Sequence, residues 1–367
     1  MLYFINLAGT VSTYFLAYKR TLIMADQKSY VINLVDGFMY FAVSGIQVFC
    51  LFVFKNYIVY LFIQVGKNIL SNLILSIRAD KLYGKINKVA KMELIEEYNN
   101  QIASYVKDIF LSRIGATAFY GTDNVIISVF KGSLLAGYLS NYTMITTQLT
   151  NVVNQLLASL QATFGNYIYS GKSKEEQQQM TENYFCVNFL IGNFCFICFA
   201  LLAQSFVKVF FGERLLLTFS TVMWLGINLM LSILLQLPSQ VFIIYKLFNY
   251  DKPIIAVSAV LNMIISIVLV NKLGIDGVLI GTFVTSLIYL FSRFFIISKY
   301  VFYTKYIHYL KRIVLYFLIS AVSYTIIWLT YKNMEGGTNL ELLMCVIIVP
   351  LLSIFIPSTF LAFHILF

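Results

Sequence analysis

Tyr14-Phe15-Leu16-Ala17-Tyr18-Lys19 and Val241-Phe242-Ile243-Ile244-Tyr245-Lys246 end two long apolar stretches in the same way, with an aromatic and aliphatic run closed by Tyr-Lys. Each stretch then returns through an acid and a lysine, Asp26-Gln27-Lys28 in one case and Asp251-Lys252 in the other. The two Tyr-Lys pairs stand 227 residues apart. Apolar stretches at 30–53 and 57–77 follow the first pair, and stretches at 253–271 and 275–298 follow the second. Their tight links, Lys55-Asn56 and Asn271-Lys272, also correspond. Aromatic-plus-lysine ends are common at membrane boundaries, so shared order and spacing, more than the residues themselves, mark an internal repeat.

Working outward, the whole chain has the same character. Of 367 residues, 60% are hydrophobic and only 11% charged, and the mean hydropathy is +0.81. Soluble domains carry about a quarter charged residues, so a string of soluble domains is excluded. A span takes about 20 apolar residues, and the sequence divides into eleven: 1–17, 30–53, 57–77, 109–130, 134–168, 184–208, 215–246, 253–271, 275–298, 313–331 and 339–367. The fold class is an all-α polytopic membrane protein. When loops alternate between the two sides, nineteen Lys and Arg fall on one side and six on the other, with Lys67 inside a span, which accounts for all 26. By the positive-inside rule the basic side is cytoplasmic, as is the C-terminus. The net charge of +10 thus orients the chain and meets anionic lipid; nucleic acid is not implied.

This orientation starts Met1 on the external face, with no signal-peptide pattern. Together with the repeat, it predicts a chain shortened at its N-terminus. Residues 1–77 are the last three spans of a first lobe, 78–108 a charged connector with an amphipathic segment around Lys85, Lys88 and Lys91, 109–298 a six-span second lobe, and 299–367 two further spans. Tandem copies of the same orientation occur in transporters with parallel repeats. Residues 171–183 read as a solvated turn, with Glu175 and Glu176 opening the next helix.

Several function classes drop out. The nearest approach to a phosphate-binding loop, Gly165 through Gly171-Lys172-Ser173, has five residues between its glycines where the motif needs four, and it follows a helix. His308 and His364 are the only histidines and no carboxylate–histidine cluster accompanies them, so no metal and no cofactor is expected. Cys195 and Cys198 form C-x-x-C inside a span, where thiols are apolar filler. No long external loop offers a catalytic centre, so the chain is not read as an enzyme, and a membrane glycan polymerase or ligase is the least favoured alternative.

The polar residues within spans are the candidate site, because ionisable groups in hydrocarbon are costly and usually functional. Lys67 lies near the middle of the 57–77 span, with Asn68, Ser71 and Asn72 on the following turn. It either faces an anionic group such as a phosphate, or snorkels, or pairs with Asp36. Asp123, beside Asn124, is the clearest buried acid; it binds a coupling proton or sodium ion, counters a buried cation such as Lys67 or Arg113, or clamps two helices. The 134–168 span carries Thr143, Thr147, Asn151, Asn154 and Gln161 at helical spacing, widened by Gln148, Gln155 and Ser159. Lipid cannot hydrogen-bond this stripe, so it forms interhelical amide bonds or walls a polar cavity with amides open to sugar hydroxyls.

Tyr120-Gly121-Thr122-Asp123-Asn124-Val125-Ile126-Ile127-Ser128, followed by Ala136-Gly137-Tyr138-Leu139-Ser140-Asn141-Tyr142, closely resembles the seventh and eighth spans of polysaccharide flippases. Ala25-Asp26-Gln27-Lys28-Ser29-Tyr30 and the run from Leu273 to Thr282 resemble other recurrent segments of that group. The resemblance is to the Wzx-like branch of the multidrug/oligosaccharidyl-lipid/polysaccharide exporter superfamily, and covers essentially the whole chain through helix-packing motifs. It implies two six-helix lobes around a central cavity, the first incomplete here, with two further helices. It also implies flipping of undecaprenyl-diphosphate-linked oligosaccharides across the cytoplasmic membrane by alternating access, without ATP. By position Lys67 and Arg113 would meet the diphosphate, Lys19 and Arg20 would attract the headgroup at the cytoplasmic mouth, and glycan polymerase machinery would be a partner. The alternatives are an inactive fragment of such a flippase and an exporter of small cationic or amphiphilic compounds.

Overall fold

The computed structural model describes residues 2–26, 28–84 and 121–334, together with residues 103, 106, 110, 352, 353 and 357. The chain divides into two compact units, Met1–Asn99 and Asn100–Phe367. All regular structure among the described residues is helical, and seven helical stretches are long and apolar enough to cross a bilayer.

The first unit holds α1 (Leu2–Tyr14), α2 (Ala17–Ala25), α3 (Ser29–Phe54) and α4 (Tyr57–Tyr83). The expected 1–17 span is thus a broken helix. Leu16 adopts the left-handed conformation, φ 60, which a residue with a Cβ rarely does. The break frees carbonyls at the end of α1, and α4 covers them: the Asn72 side-chain amide donates to the Ser12 and Thr13 carbonyls at 3.2 and 3.1 Å, and Asn68 donates to the Gly9 carbonyl at 3.1 Å. Two of the polar residues that accompany Lys67 in the sequence are therefore tied to α1. The buried core of this unit is small, Ile23, Ile32, Leu75 and Ala79. Large side chains of α3 such as Phe41 and Phe52 lie open, as suits a lipid-facing surface.

The second unit begins, among described residues, with a helix over residues 121–131 (α5). It continues through α6 (Ser133–Tyr169), α7 (Lys174–Phe211), α8 (Phe219–Leu234), α9 (Gln236–Ile244), α10 (Phe248–Leu273), α11 (Ile275–Ile296) and α12 (Tyr306–Met334), with a π-helical turn Ile297–Phe302 before the last. α7 starts well before the expected 184. Ser173 accepts from the Glu176 backbone N–H while Glu176 accepts from that of Ser173, a capping box, so most of the expected solvated turn is helix. α8 and α9 form one broken span, as α1 and α2 do. Pro238 has no N–H to return to the Leu234 carbonyl, and Asn188 from α7 donates to the Ile233 carbonyl at 3.4 Å.

The repeat is real but its period is not 227. A shift of 219 residues carries Ala17–Ala25 onto Gln236–Ile244 and Ser29–Phe54 onto Phe248–Leu273. In each unit a broken helix leads into a hairpin. Tyr18-Lys19 lies inside α2, whereas Tyr245-Lys246 lies past the end of α9, so the matched pairs are not equivalent positions.

α10 and α11 pack most tightly. A Cβ at Gly277 would collide with the Leu269 carbonyl, and one at Gly281 would sit 2.5 Å from Ser266 Oγ. Small residues let backbones approach in this way inside a membrane. The expected 339–367 span and most of the 78–108 connector lie outside the described residues.

Candidate functional site

The second unit encloses a cavity of about 890 Å³ walled by α5, α6, α8, α9, α10 and α11. α6 contributes the sequence stripe: Thr143, Thr147, Asn151 and Asn154 all line it, joined by Thr146 and Thr150. Gln148 does not line it; the Asn151 amide reaches Gln148 Oε1 at 3.4 Å on the neighbouring face. The Gln161 side chain and Arg113 lie outside the described residues.

Opposite, α8 and α9 supply a second polar stripe that sequence reasoning missed. Asn228, Ser232, Gln236 and Ser239 line the cavity across the break between the two helices. Their spacing of four, four and three was a legible helical signal, hidden in a run rich in Leu and Ile. Asn228 donates to the Leu279 carbonyl at 2.9 Å, and its own oxygen has no protein partner, as is also true of Gln236 Oε1.

Asp123 and Asn124 reach the cavity from α5. Asp123 Oδ2 accepts from Thr282 at 2.7 Å, and Asp123 Oδ1 is buried without a partner. Behind Thr282, the Asn262 amide donates to Thr282 Oγ1 at 3.1 Å and to Thr285 Oγ1 at 3.3 Å, and Thr122 lies 3.5 Å from Asn262 Oδ1. Among the described residues of the second unit no cation pairs with Asp123.

At another part of the wall, Arg293 binds Asp251 through both ends of its guanidinium, at 2.9 and 2.8 Å. A further N–H bonds Ser239. The guanidinium lies 4.0 Å from the Tyr289 ring centroid and 5.1 Å from that of Phe242. Both charged side chains are almost fully buried, 5% and 9% exposed. The sequence reading had counted Arg293 only as a topological charge, because its partner lies 42 residues away.

The first unit holds Lys67, one of the two cations expected to meet a diphosphate, and Lys19 and Arg20, expected at the cytoplasmic mouth. Lys67 is buried, with its ammonium 3.9 Å from the Tyr40 ring centroid, a cation–π contact, and not paired with Asp36. Asp36 instead binds Arg20 and accepts from Ser71 at 2.6 Å. This pair is a third exposed. Lys19 is buried against Asp80, 2.7 Å away, which ties α2 to α4. Among the described residues no group of three or more His, Cys, Asp or Glu could hold a metal.

No protein-family model matches the chain, and no curated protein matches it. Solved structures do. One is described as "Lipid II flippase MurJ, inward closed conformation"; it is 14% identical, and the match covers 99% of this chain and 75% of that one with a TM-score of 0.62. At that identity the likeness concerns the fold. The chain has the all-α, polytopic transporter fold that the sequence predicts, shared with a flippase structure.

Proposed function

We propose that the chain flips an undecaprenyl-diphosphate-linked oligosaccharide across the cytoplasmic membrane by alternating access without ATP hydrolysis. The observation that carries this reading is the polar cavity of about 890 Å³ in a fold shared with a lipid II flippase. A cluster of polar side chains on the wall of a cavity among apolar helices is a functional arrangement, since polar groups in hydrocarbon are otherwise costly. The Wzx-like branch, with a polysaccharide repeat unit as cargo and a glycan polymerase downstream, rests on the resemblance of residues 120–142. The basic loops make the cytoplasm the side of loading and of the C-terminus.

In this reading Lys67 and Arg113 meet the diphosphate, and Arg20 attracts the headgroup at the cytoplasmic mouth. Lys19 serves chiefly to hold α2 against Asp80. Asp123, with one oxygen free of protein partners and Asn124 beside it, carries the coupling proton or sodium ion.

Deleting the gene should leave lipid-linked repeat units facing the cytoplasm; normal surface glycan in a strain with no redundant transporter would sink the proposal. Lys67→Ala should abolish glycan export at unchanged membrane abundance, and full export would reduce Lys67 to a structural residue. Asp123→Asn should remove the dependence of flipping on the proton or sodium gradient in proteoliposomes. A gradient response equal to that of the parent chain would rule out Asp123 as the coupling site.

A further inference from the structure

On the wall of the second unit's cavity, polar groups are set among apolar side chains, and many of them turn an acceptor towards it. The hydroxyls that line it mostly donate back to their own helices. Thr146 donates to the Thr143 carbonyl at 3.0 Å, Thr150 to the Thr146 carbonyl at 2.8 Å, and Ser232 to the Leu229 carbonyl at 2.7 Å. A hydroxyl bonded in this way offers the cavity only its lone pairs. Asn228 uses its amide N–H on Leu279, which leaves its oxygen as the free end. Four buried polar atoms on this wall have no protein partner: Asp123 Oδ1, Asn228 Oδ1, Gln236 Oε1 and Ser258 Oγ. Ser258 is only 1% exposed. Buried polar groups normally find partners, and three of these four atoms can only accept.

Charge points the same way. Among the described residues that line the cavity, the charged side chains are Asp123, Asp251 and Arg293. Asp251 and Arg293 neutralise each other in a two-pronged pair, and Asp123 adds no positive charge. A phosphate or diphosphate at cytoplasmic pH is an acceptor and an anion, so it fails on both counts. An organic cation would look for aromatic faces, but Tyr289 and Phe242 already cover Arg293. An uncharged sugar is different, because each hydroxyl brings a donor. The volume of about 890 Å³ lies in the usual range for small-molecule sites, about 300–1,000 Å³.

We infer that this cavity is a binding site for the uncharged, polyhydroxyl part of a glycan, held between Asn154 of α6 and Gln236 at the break between α8 and α9, and that it excludes the phosphate. The inference rests on the flippase reading for the source of the sugar, and deepens it by assigning the charged and neutral parts of one substrate to different residues.

The test uses the full chain in detergent and free disaccharides, with binding followed by saturation-transfer NMR. The neutral probes are cellobiose, lactose and N,N′-diacetylchitobiose. The anionic probes are cellobiuronic acid, which differs from cellobiose by one carboxylate, and inorganic pyrophosphate. At least one neutral disaccharide should bind, with cellobiuronic acid weaker than cellobiose and no displacement by pyrophosphate. Gln236→Met and Asn154→Leu should each weaken the neutral probe about threefold to tenfold, the worth of one neutral hydrogen bond. Asn154 is exposed, so its replacement should not disturb folding if that of Gln236 does. The inference is overturned if no neutral probe binds, if either anion competes as well as the sugar, if tetraphenylphosphonium displaces it at lower concentration, or if both variants bind normally. Flipping intact without sugar binding would remove this site and keep the flippase reading. Sugar binding without flipping would do the reverse.

Discussion

The two units apply one plan with different degrees of closure. Each contains a broken helix that leads into a hairpin, and each ties three helices together with an arginine, an aspartate and a serine. In the first unit the arginine is Arg20 on α2, the aspartate Asp36 on α3 and the serine Ser71 on α4. In the second, the serine is Ser239 on α9, the aspartate Asp251 on α10 and the arginine Arg293 on α11. The 219-residue shift carries Arg20 onto Ser239 but Asp36 onto Ile255, one turn from Asp251, so the two ties use the same residue types at different positions. The first pair is a third exposed and the second sealed, at 5% and 9%. An accessible arginine can be shared with an anion; a sealed one is a structural pin. The same shift carries Gln47 onto Ser266. Gln47 donates to the Tyr60 carbonyl at 3.3 Å and to Gln64 at 3.1 Å, and Ser266 donates to the Val278 carbonyl at 3.4 Å. The first unit fills this position with neutral amides. In the second, Thr282, one residue before the position onto which this shift carries Gln64, holds Asp123. The acid is supplied by α5, which precedes the broken helix and hairpin that the two units share.

The largest effect that tests this contrast is at the sealed tie. Arg293→Met leaves Asp251 buried without its partner, and breaking a buried pair on one side costs about 3–5 kcal/mol. Arg20→Met should cost no more than about 1 kcal/mol, as expected for a partly solvated pair. The thiols give each unit its own probe, Cys50 in the first and buried Cys195 in the second, through the rate of labelling as detergent-solubilised protein is heated. Equal losses in the two variants would show that exposure does not separate the ties.

Next comes helix packing. Gly277→Ala puts a methyl against the Leu269 backbone carbonyl, which cannot rotate away, and overpacking of this kind costs about 1–3 kcal/mol. Gly45 in α3 has open space around the corresponding atom, so Gly45→Ala should leave the labelling temperature of Cys50 unchanged. A loss at Gly45 would mean that α3 meets a neighbour there.

A similar or smaller effect is expected at the patched breaks. Asn72→Ala strips partners from two carbonyls of the α1 break, for about 1–3 kcal/mol, while Asn188→Ala removes one long bond of 3.4 Å and should cost less. If Asn188 mattered more, the break in the second unit would be the weaker of the two.

These residues also show what could be read from sequence. Helix positions were legible: 57–77 anticipates α4, which is apolar enough to span, and 134–168 matches α6 to within a residue at each end, although α6, with its polar stripe, is not among the seven stretches long and apolar enough to span. The Thr143–Asn154 stripe was legible too, since polar side chains at helical spacing must face something polar. Asn72 was ambiguous, because an amide in a span either meets a ligand or covers a carbonyl, and the choice turned on a left-handed Leu16 that no propensity predicts. Asn228, Ser232 and Gln236 were missed because each stood alone among apolar neighbours and only their period linked them. The Arg293–Asp251 pair was illegible: it joins helices whose register depends on Gly277 and Gly281, and a lysine-rich loop beside Arg293 offered a simpler account of its charge.

The smallest effect expected is in the loops that follow the broken helices. Between α2 and α3, Asp26 bonds Lys28 at 2.7 Å and accepts from Tyr83 at 2.7 Å, and these two hydrogen bonds hold its carboxyl below the usual range. Between α9 and α10 no carboxylate takes part: the Leu247 N–H is bonded to the Phe242 carbonyl at 2.8 Å, the Tyr169 hydroxyl donates to the Ile244 carbonyl at 2.7 Å, and the Tyr245 hydroxyl donates to Gln177 Oε1 at 2.6 Å. A carboxyl whose value is lowered on folding stabilises the loop above its unfolded value, and loses that contribution as pH falls through the folded one. Acidification from neutral pH should therefore speed amide exchange in the α2–α3 loop, beyond the intrinsic change with pH, and not in the α9–α10 loop. Asp26→Asn should abolish the difference while leaving the unfolding temperature almost unchanged, since exposed pairs contribute little. Parallel behaviour of the two loops would mean that the Lys28 and Tyr83 bonds do not persist in solution.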